Sequence, residues 1–181
     1  MKAFKNIQLK LGQISLKNKK KKLNRKVKAF GIEKASKIGV LYDATNRAEA
    51  DVVKKFVQYL KEERKEVESL GYINAKDSSE LVKPYLNFSF FDNNDLSKTL
   101  CPNSESVTNF LNTPYSILID LTLKDTFPLA YISELSTAKF KVGANGNYRD
   151  DACDMVIDID SDKRLEYLII QLKHYLQLIH N

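Results

Sequence analysis

Lysines 19 to 22 form an unbroken run near the start of this 181-residue chain, with Lys17 before it and Arg25, Lys26 and Lys28 after it. Clustered ammonium and guanidinium groups neutralise phosphates, the interaction that supplies most sequence-independent affinity for nucleic acid. Across residues 1–37, thirteen Lys or Arg stand against one acid, Glu33, so the segment is +12 while the whole chain is +6. Residues 38–181 therefore sum to −6. A basic arm on an acidic body is suited to a polyanion: RNA, DNA or an anionic membrane surface.

A second group of candidate residues falls where strands end. The run Lys37–Asp43 (KIGVLYD) closes in Asp43-Ala44-Thr45-Asn46. A phosphate-binding turn there would need glycines so that backbone amides can approach the ligand, and this one has none. Its hydroxyl and amide groups resemble the phosphate loop of flavodoxins over two or three residues. The alternative is that Thr45 or Asn46 caps the following helix. Asp120 and the pair Asp158 and Asp160 end two further apolar runs, and these carboxylates would serve as metal ligands or as acid and base if they converged. No histidine accompanies them, since His174 and His180 are both close to the C-terminus. The loop Gly143 to Asn147, with Asn145 in it and Tyr148 just after, could meet a phosphate or a base, or simply connect two elements. Cys101 and Cys153 form no C-x-x-C pair and neither has a nearby histidine, which leaves no nucleophilic thiol and no metal framework. No cofactor and no metal are expected.

The elements that must position these residues alternate between strand and helix. Apolar runs with the character of buried parallel strands occur at 37–43, 67–73, 115–121, 140–143 and 155–159, and Phe88–Phe91 is a further candidate. Between them, helical spacing marks Arg47 to about Arg64, a short helix over Ser104–Leu111, and another over Pro128–Thr137. The chain closes with a helix from about Ser161 to Ile179 whose apolar face is wide. This predicts a doubly wound, mostly parallel α/β sheet of about five strands, Rossmann/flavodoxin-like, over residues 38–181. Residues 1–37 form a basic, partly helical arm, with apolar spacing at Ile7, Leu11 and Ile14 and again at Leu23, Val27 and Phe30.

The segments 37–43, Tyr115–Leu121 (YSILIDL), Ala138–Gly143 (AKFKVG) and Asp154–Ile159 (DMVIDI) resemble those of a family of small uncharacterised cytoplasmic proteins from Bacteroidota, a domain of unknown function with a basic N-terminus. The resemblance implies lineage and compartment and brings no activity. The pattern ILIDL…AKFKVG…DMVID is also similar to one half of the heptosyltransferase-like glycosyltransferases, although a lone half of this size lacks the second domain that closes such a site.

No run of apolar residues is long enough to span a bilayer, the N-terminus does not read as a signal peptide, and the cysteine usage fits a reducing cytoplasm. The function expected from the sequence is non-enzymatic RNA binding, ribosome-associated or in ribosome assembly, with Lys17, Lys19, Lys20, Lys21, Lys22, Arg25, Lys26 and Lys28 on phosphates. The alternatives are a peripheral membrane protein, with Phe4, Ile7, Leu11 and Ile14 among Lys2, Lys5, Lys10 and Lys17, or a small-molecule or nucleotide enzyme using the strand-end carboxylates. A second ligand position would use Asp43, Thr45, Asn46, Asn145 and Tyr148.

Overall fold

Buried, β-branched runs that need pairing on both sides produce one sheet, and in the computed structural model it has six strands, all parallel. Residues 2–75, 87–146 and 148–180 are described, with backbone only for Lys2 and Ala3; 76–86, within the irregular stretch of the sequence, lie outside them. The strands are β1 (Lys37–Asp43), β2 (Glu66–Ile73), β3 (Phe88–Asp92), β4 (Ile117–Asp120), β5 (Phe140–Ala144) and β6 (Met155–Ile157). Their order is β3-β2-β1-β4-β5-β6, so the chain runs outward from β1 in one direction and then returns to its other side. The expected count of about five becomes six because Phe88–Asp92 does pair, in parallel with β2.

The helices are α1 (Lys2–Lys20), α2 (Arg47–Glu62), α3 (Glu105–Asn112), α4 (Phe127–Leu135), α5 (Tyr148–Ala152) and α6 (Leu165–Leu178). Alternation along the strands divides the core. Ile38, Val40 and Tyr42 of β1 and Ile117 and Ile119 of β4 pack with α2 and α6, whereas Leu41 and Leu118 pack with α3 and α4. Each layer buries an amphipathic helical stripe against its face of the sheet. Leu16 of α1 joins the second cluster, while Ile32 and Ala35, between α1 and β1, belong to the first.

Two local readings change. Residues 23–30 are not helical. Instead the Lys28 amide donates to the Lys139 carbonyl (3.0 Å), and the Ile32 amide donates to Leu176 O (3.1 Å). The tertiary bonds available along β5 and the end of α6 override a weak helical spacing. The loop before β6 contains a short helix, α5, whose five residues are too few to leave a periodic signal.

Candidate functional site on the N-terminal helix and the carboxyl edge

α1 is docked through one side. A Cβ on Gly12 would stand 2.3 Å from the Thr99 carbonyl oxygen and 2.8 Å from the Phe127 ring, so only glycine permits this approach. Farther along, the Lys19 ammonium donates to the Tyr131 hydroxyl (2.5 Å) and lies over that ring, and Lys20 pairs with Glu134 (2.8 Å). Arg25 makes a two-pronged contact with Asp154, at 2.8 and 2.5 Å, and donates to the Ala138 carbonyl. Bidentate Arg–carboxylate pairs fix orientation as well as adding energy. Gly31 repeats the close-approach device, since a Cβ there would meet the Ile179 carbonyl oxygen at 2.1 Å. The basic segment is thus fastened to α4, to the residues leading into β5 and β6, and to α6 along its length.

Fastening consumes part of the expected cationic site. Lys19, Lys20 and Arg25 face partners on the body, and the Lys28 ammonium rests over the Phe30 ring at 5.3 Å. Lys17, Lys21, Lys22 and Lys26 are exposed. Lys17 to Lys20 form the last turn of α1, where positive charge is favourable to the helix dipole.

The other side of α1 is apolar and open. Phe4, Ile7, Leu11 and Ile14 are 68%, 57%, 49% and 57% exposed. At 3.6 residues per turn they fall within an arc of about 80°, with the exposed Lys10 and Lys17 along one flank. Leu9 and Gln13, on the opposite arc, line a groove against α4 together with Leu16 and Ala130. α1 is therefore amphipathic in the inverted sense, with most of its large apolar residues facing away from the protein.

At the carboxyl edge of the sheet the expected ligand residues separate into two local sets. Asp43 Oδ1 accepts from the Thr45 amide (2.9 Å), Thr45 Oγ1 accepts from the Asn74 amide (2.9 Å), and Asn46 Oδ1 caps α2 by accepting from the Ala48 amide (2.9 Å). On the other side of β1, Asn145 Oδ1 accepts from the Ile159 amide (3.2 Å) and its Nδ2 donates to Asp158 (3.4 Å). Among the described residues no three His, Cys, Asp or Glu side chains come together as a metal site would require.

Tyr148 points inward, into a closed polar knot around Asp120. Asp120 is fully buried. Its Oδ1 accepts from the amide (3.1 Å) and hydroxyl (2.6 Å) of Thr122, and its Oδ2 accepts from Tyr148 (3.0 Å). Having donated its proton to Asp120, the Thr122 hydroxyl accepts from Arg149 Nη1 (3.3 Å). Arg149 also pairs with Asp125 (2.9 Å) and donates to the Ala144 carbonyl. Burial raises the Asp120 carboxyl above its ordinary range despite these donors, and burial raises the Tyr148 phenol as well. The knot joins the ends of β4 and β5 to α5, with the Asp120 carboxylate turned away from solvent and Asp125 at its exposed margin. Lys141 is a further buried charge. Its ammonium donates to the carbonyls of Ser133 (2.7 Å) and Glu134 (3.2 Å) at the end of α4, and burial lowers its pKa to about 8. Burial likewise pushes the Cys153 thiol up, away from the thiolate form a nucleophile needs.

Sequence reasoning passed over Thr122, Asp125, Lys141 and Arg149. Two lysines inside the apolar run AKFKVG, Lys139 and Lys141, were the one available signal, and only Lys141 is buried. Residues 8–179 match a family of unknown function, DUF6913. The chain belongs to this family. The match takes in most of α1 together with the whole sheet. No curated protein matches the chain.

Proposed function

We propose that this DUF6913 chain is a binding protein that docks on an anionic lipid surface through the outward face of α1. The observation that carries the reading is the exposed stripe Phe4, Ile7, Leu11 and Ile14 beside Lys10 and Lys17. Contiguous apolar side chains left in water mark an interaction site, and an apolar face with a lysine flank is the composition of helices that lie in a bilayer interface. No helix among the described residues is long and apolar enough to cross a membrane, so the mode is attachment at the surface. Four half-inserted side chains and these two lysines sum to roughly 6 kcal/mol, or binding near 40 μM.

The test is co-sedimentation with vesicles of phosphatidylcholine alone and with 30 mol% phosphatidylglycerol as a working composition. Binding should require the anionic lipid and weaken with salt. Replacing Phe4 by Ser and Ile7, Leu11 and Ile14 by Gln should lower it at least tenfold, with the unfolding temperature unchanged. Vesicle binding indifferent to those four replacements sinks the lipid reading.

A second reading is favoured by Lys17, Lys21, Lys22 and Lys26, which are exposed: RNA binding, with a ribosome-associated role in the cytoplasm. It predicts affinity for structured RNA that survives loss of the apolar stripe, which the lipid reading does not. RNA phosphates have no use for Phe4 and its neighbours, which is why the lipid surface comes first.

A further inference from the structure

Between α1 and the carboxyl edge of the sheet lies a cavity of about 280 Å³. Its position follows from topology. β1 sits where the strand order reverses, and the crevice beyond the strand ends at such a point is where open α/β sheets receive ligands. The walls come from both sides of that reversal: Tyr72 and Asn74 at the end of β2, Asn93 after β3, and Thr126 and Phe127 at the start of α4, with Lys5, Asn6 and Leu9 of α1 as the roof.

Among the described residues the lining is rich in carboxamides and aromatic rings and contains one charged residue, Lys5. Two of the amides are already ordered. The Tyr72 hydroxyl donates to Asn93 Oδ1 (2.6 Å), and Asn93 Nδ2 donates to Asn74 Oδ1 (3.2 Å). This chain of bonds fixes the Asn74 carboxamide with its oxygen occupied and leaves its amino group to donate. Burial keeps the Tyr72 phenol protonated, with its pKa pushed up to about 12, so the hydroxyl remains the donor that holds the chain in place. Thr126 supplies an independent sign. It occupies the N-cap position of α4 without making a side-chain cap bond, and its Oγ1 is buried with no hydrogen-bond partner. Buried hydroxyls are rarely left unsatisfied without reason.

We propose that this cavity binds a small planar nitrogen heterocycle of nucleobase or nucleoside size, its edge read by the amides of Asn74 and Asn6 and by Thr126, and its face packed on Phe127. The Asn6 carboxamide presents a donor and an acceptor side by side, the pattern that pairs with a base edge, Asn74 adds a fixed donor, and rings of this kind stack on aromatic side chains. The volume lies just below the roughly 300–1,000 Å³ of drug-sized pockets, so one ring system fits and a dinucleotide does not. This inference is independent of the lipid-surface reading, since it uses the inner side of α1.

The experiment is titration of the full chain with adenosine, guanosine, cytidine and uridine, followed by amide chemical shifts, with a single-stranded RNA tetranucleotide in parallel. At least one nucleoside should bind saturably and shift the amides of Asn74, Asn93 and Phe127. Thr126→Val, which removes a hydroxyl that has no partner to lose, and Asn74→Leu should each weaken that binding fivefold or more while vesicle binding stays unchanged. No saturable nucleoside binding, or binding indifferent to both variants, overturns the proposal. A tetranucleotide that binds more than tenfold tighter than any nucleoside overturns the free-ligand form and identifies a base of single-stranded RNA as the occupant. Thr126→Val keeps the test decisive if Asn74→Leu does not fold.

Discussion

α1 and α6 are the two terminal helices, of 19 and 14 residues, similar in the spacing of their large apolar residues. α6 turns Leu165, Leu168, Ile169, Leu172 and Leu176 into the core. α1 buries Leu16 and presses Gly12 onto Phe127, while Phe4, Ile7, Leu11 and Ile14 face out. The apolar residues α6 leaves exposed, Ile170, Tyr175 and Leu178, are three and span an arc of about 140°, whereas the four of α1 fall within about 80°. One helix is part of the fold, and the other is carried by it. What decides between them is the inner surface: close backbone contact and ion pairs hold α1, which frees its apolar side for something else.

The largest effect that sharpens this comparison is in α6. Leu172→Ala, at a position with no solvent exposure, should lower unfolding stability by about 2–5 kcal/mol, read by denaturant titration. Leu16→Ala should cost about half as much or less, because α1 lies at the margin of its cluster and can shift to fill the gap. Equal losses would make α1 a core element and would remove the distinction between an arm over residues 1–37 and a domain over 38–181, which we put forward as the division of the chain.

How much of this was legible in the residues differs between the same two regions. The sheet was readable because runs such as Ile117–Asp120 are apolar on both faces, as parallel strands buried between two helical layers must be. The carboxyl-edge knot was not, because Asp120 and Thr122 meet Tyr148 and Arg149 from 26–28 residues away in the chain, and periodicity carries no information at that separation. The amide chain from Tyr72 through Asn93 to Asn74 was hidden for the same reason. In α1 the stripe was visible at Ile7, Leu11 and Ile14 but its direction was not: spacing defines a face, and only docking says whether that face is inside. Leu23, Val27 and Phe30 show the converse, a helical spacing on a segment that is not helical, with Val27 exposed.

A smaller effect separates the two sides of the α4 layer by pH. Lys141 is buried against the carbonyl end of α4, and its pKa is lowered from 10.5 to about 8. The unfolded chain therefore binds more protons between pH 8 and 10.5, and in that window this group should make stability rise with pH at up to ~1.4 kcal/mol per pH unit. Below pH 8 both states are protonated and the slope vanishes. Lys141→Met should abolish this contribution, measured as the difference between the two proteins' stability–pH curves. Parallel curves would mean that the ammonium is as well solvated in the folded protein as in the unfolded one.

The smallest effect on folding should come from the exposed lysines, and there the comparison turns from stability to binding. Replacing Lys17, Lys21, Lys22 and Lys26 by Gln touches no ion pair described in the structure, so the change at each site should stay within ~0.5 kcal/mol. Affinity for anionic vesicles should fall far more, since each lysine near a charged bilayer contributes about 1 kcal/mol. The remaining binding should be less sensitive to salt and should still depend on Phe4, Ile7, Leu11 and Ile14. If the same variant instead keeps its vesicle binding and loses affinity for structured RNA, with the salt slope reduced by roughly 0.7–0.9 per contact removed, then the lysines and the apolar stripe serve different partners. In that case the N-terminal segment has two outward functions, a cationic end for RNA and an apolar flank that holds the lipid surface without help from these four lysines.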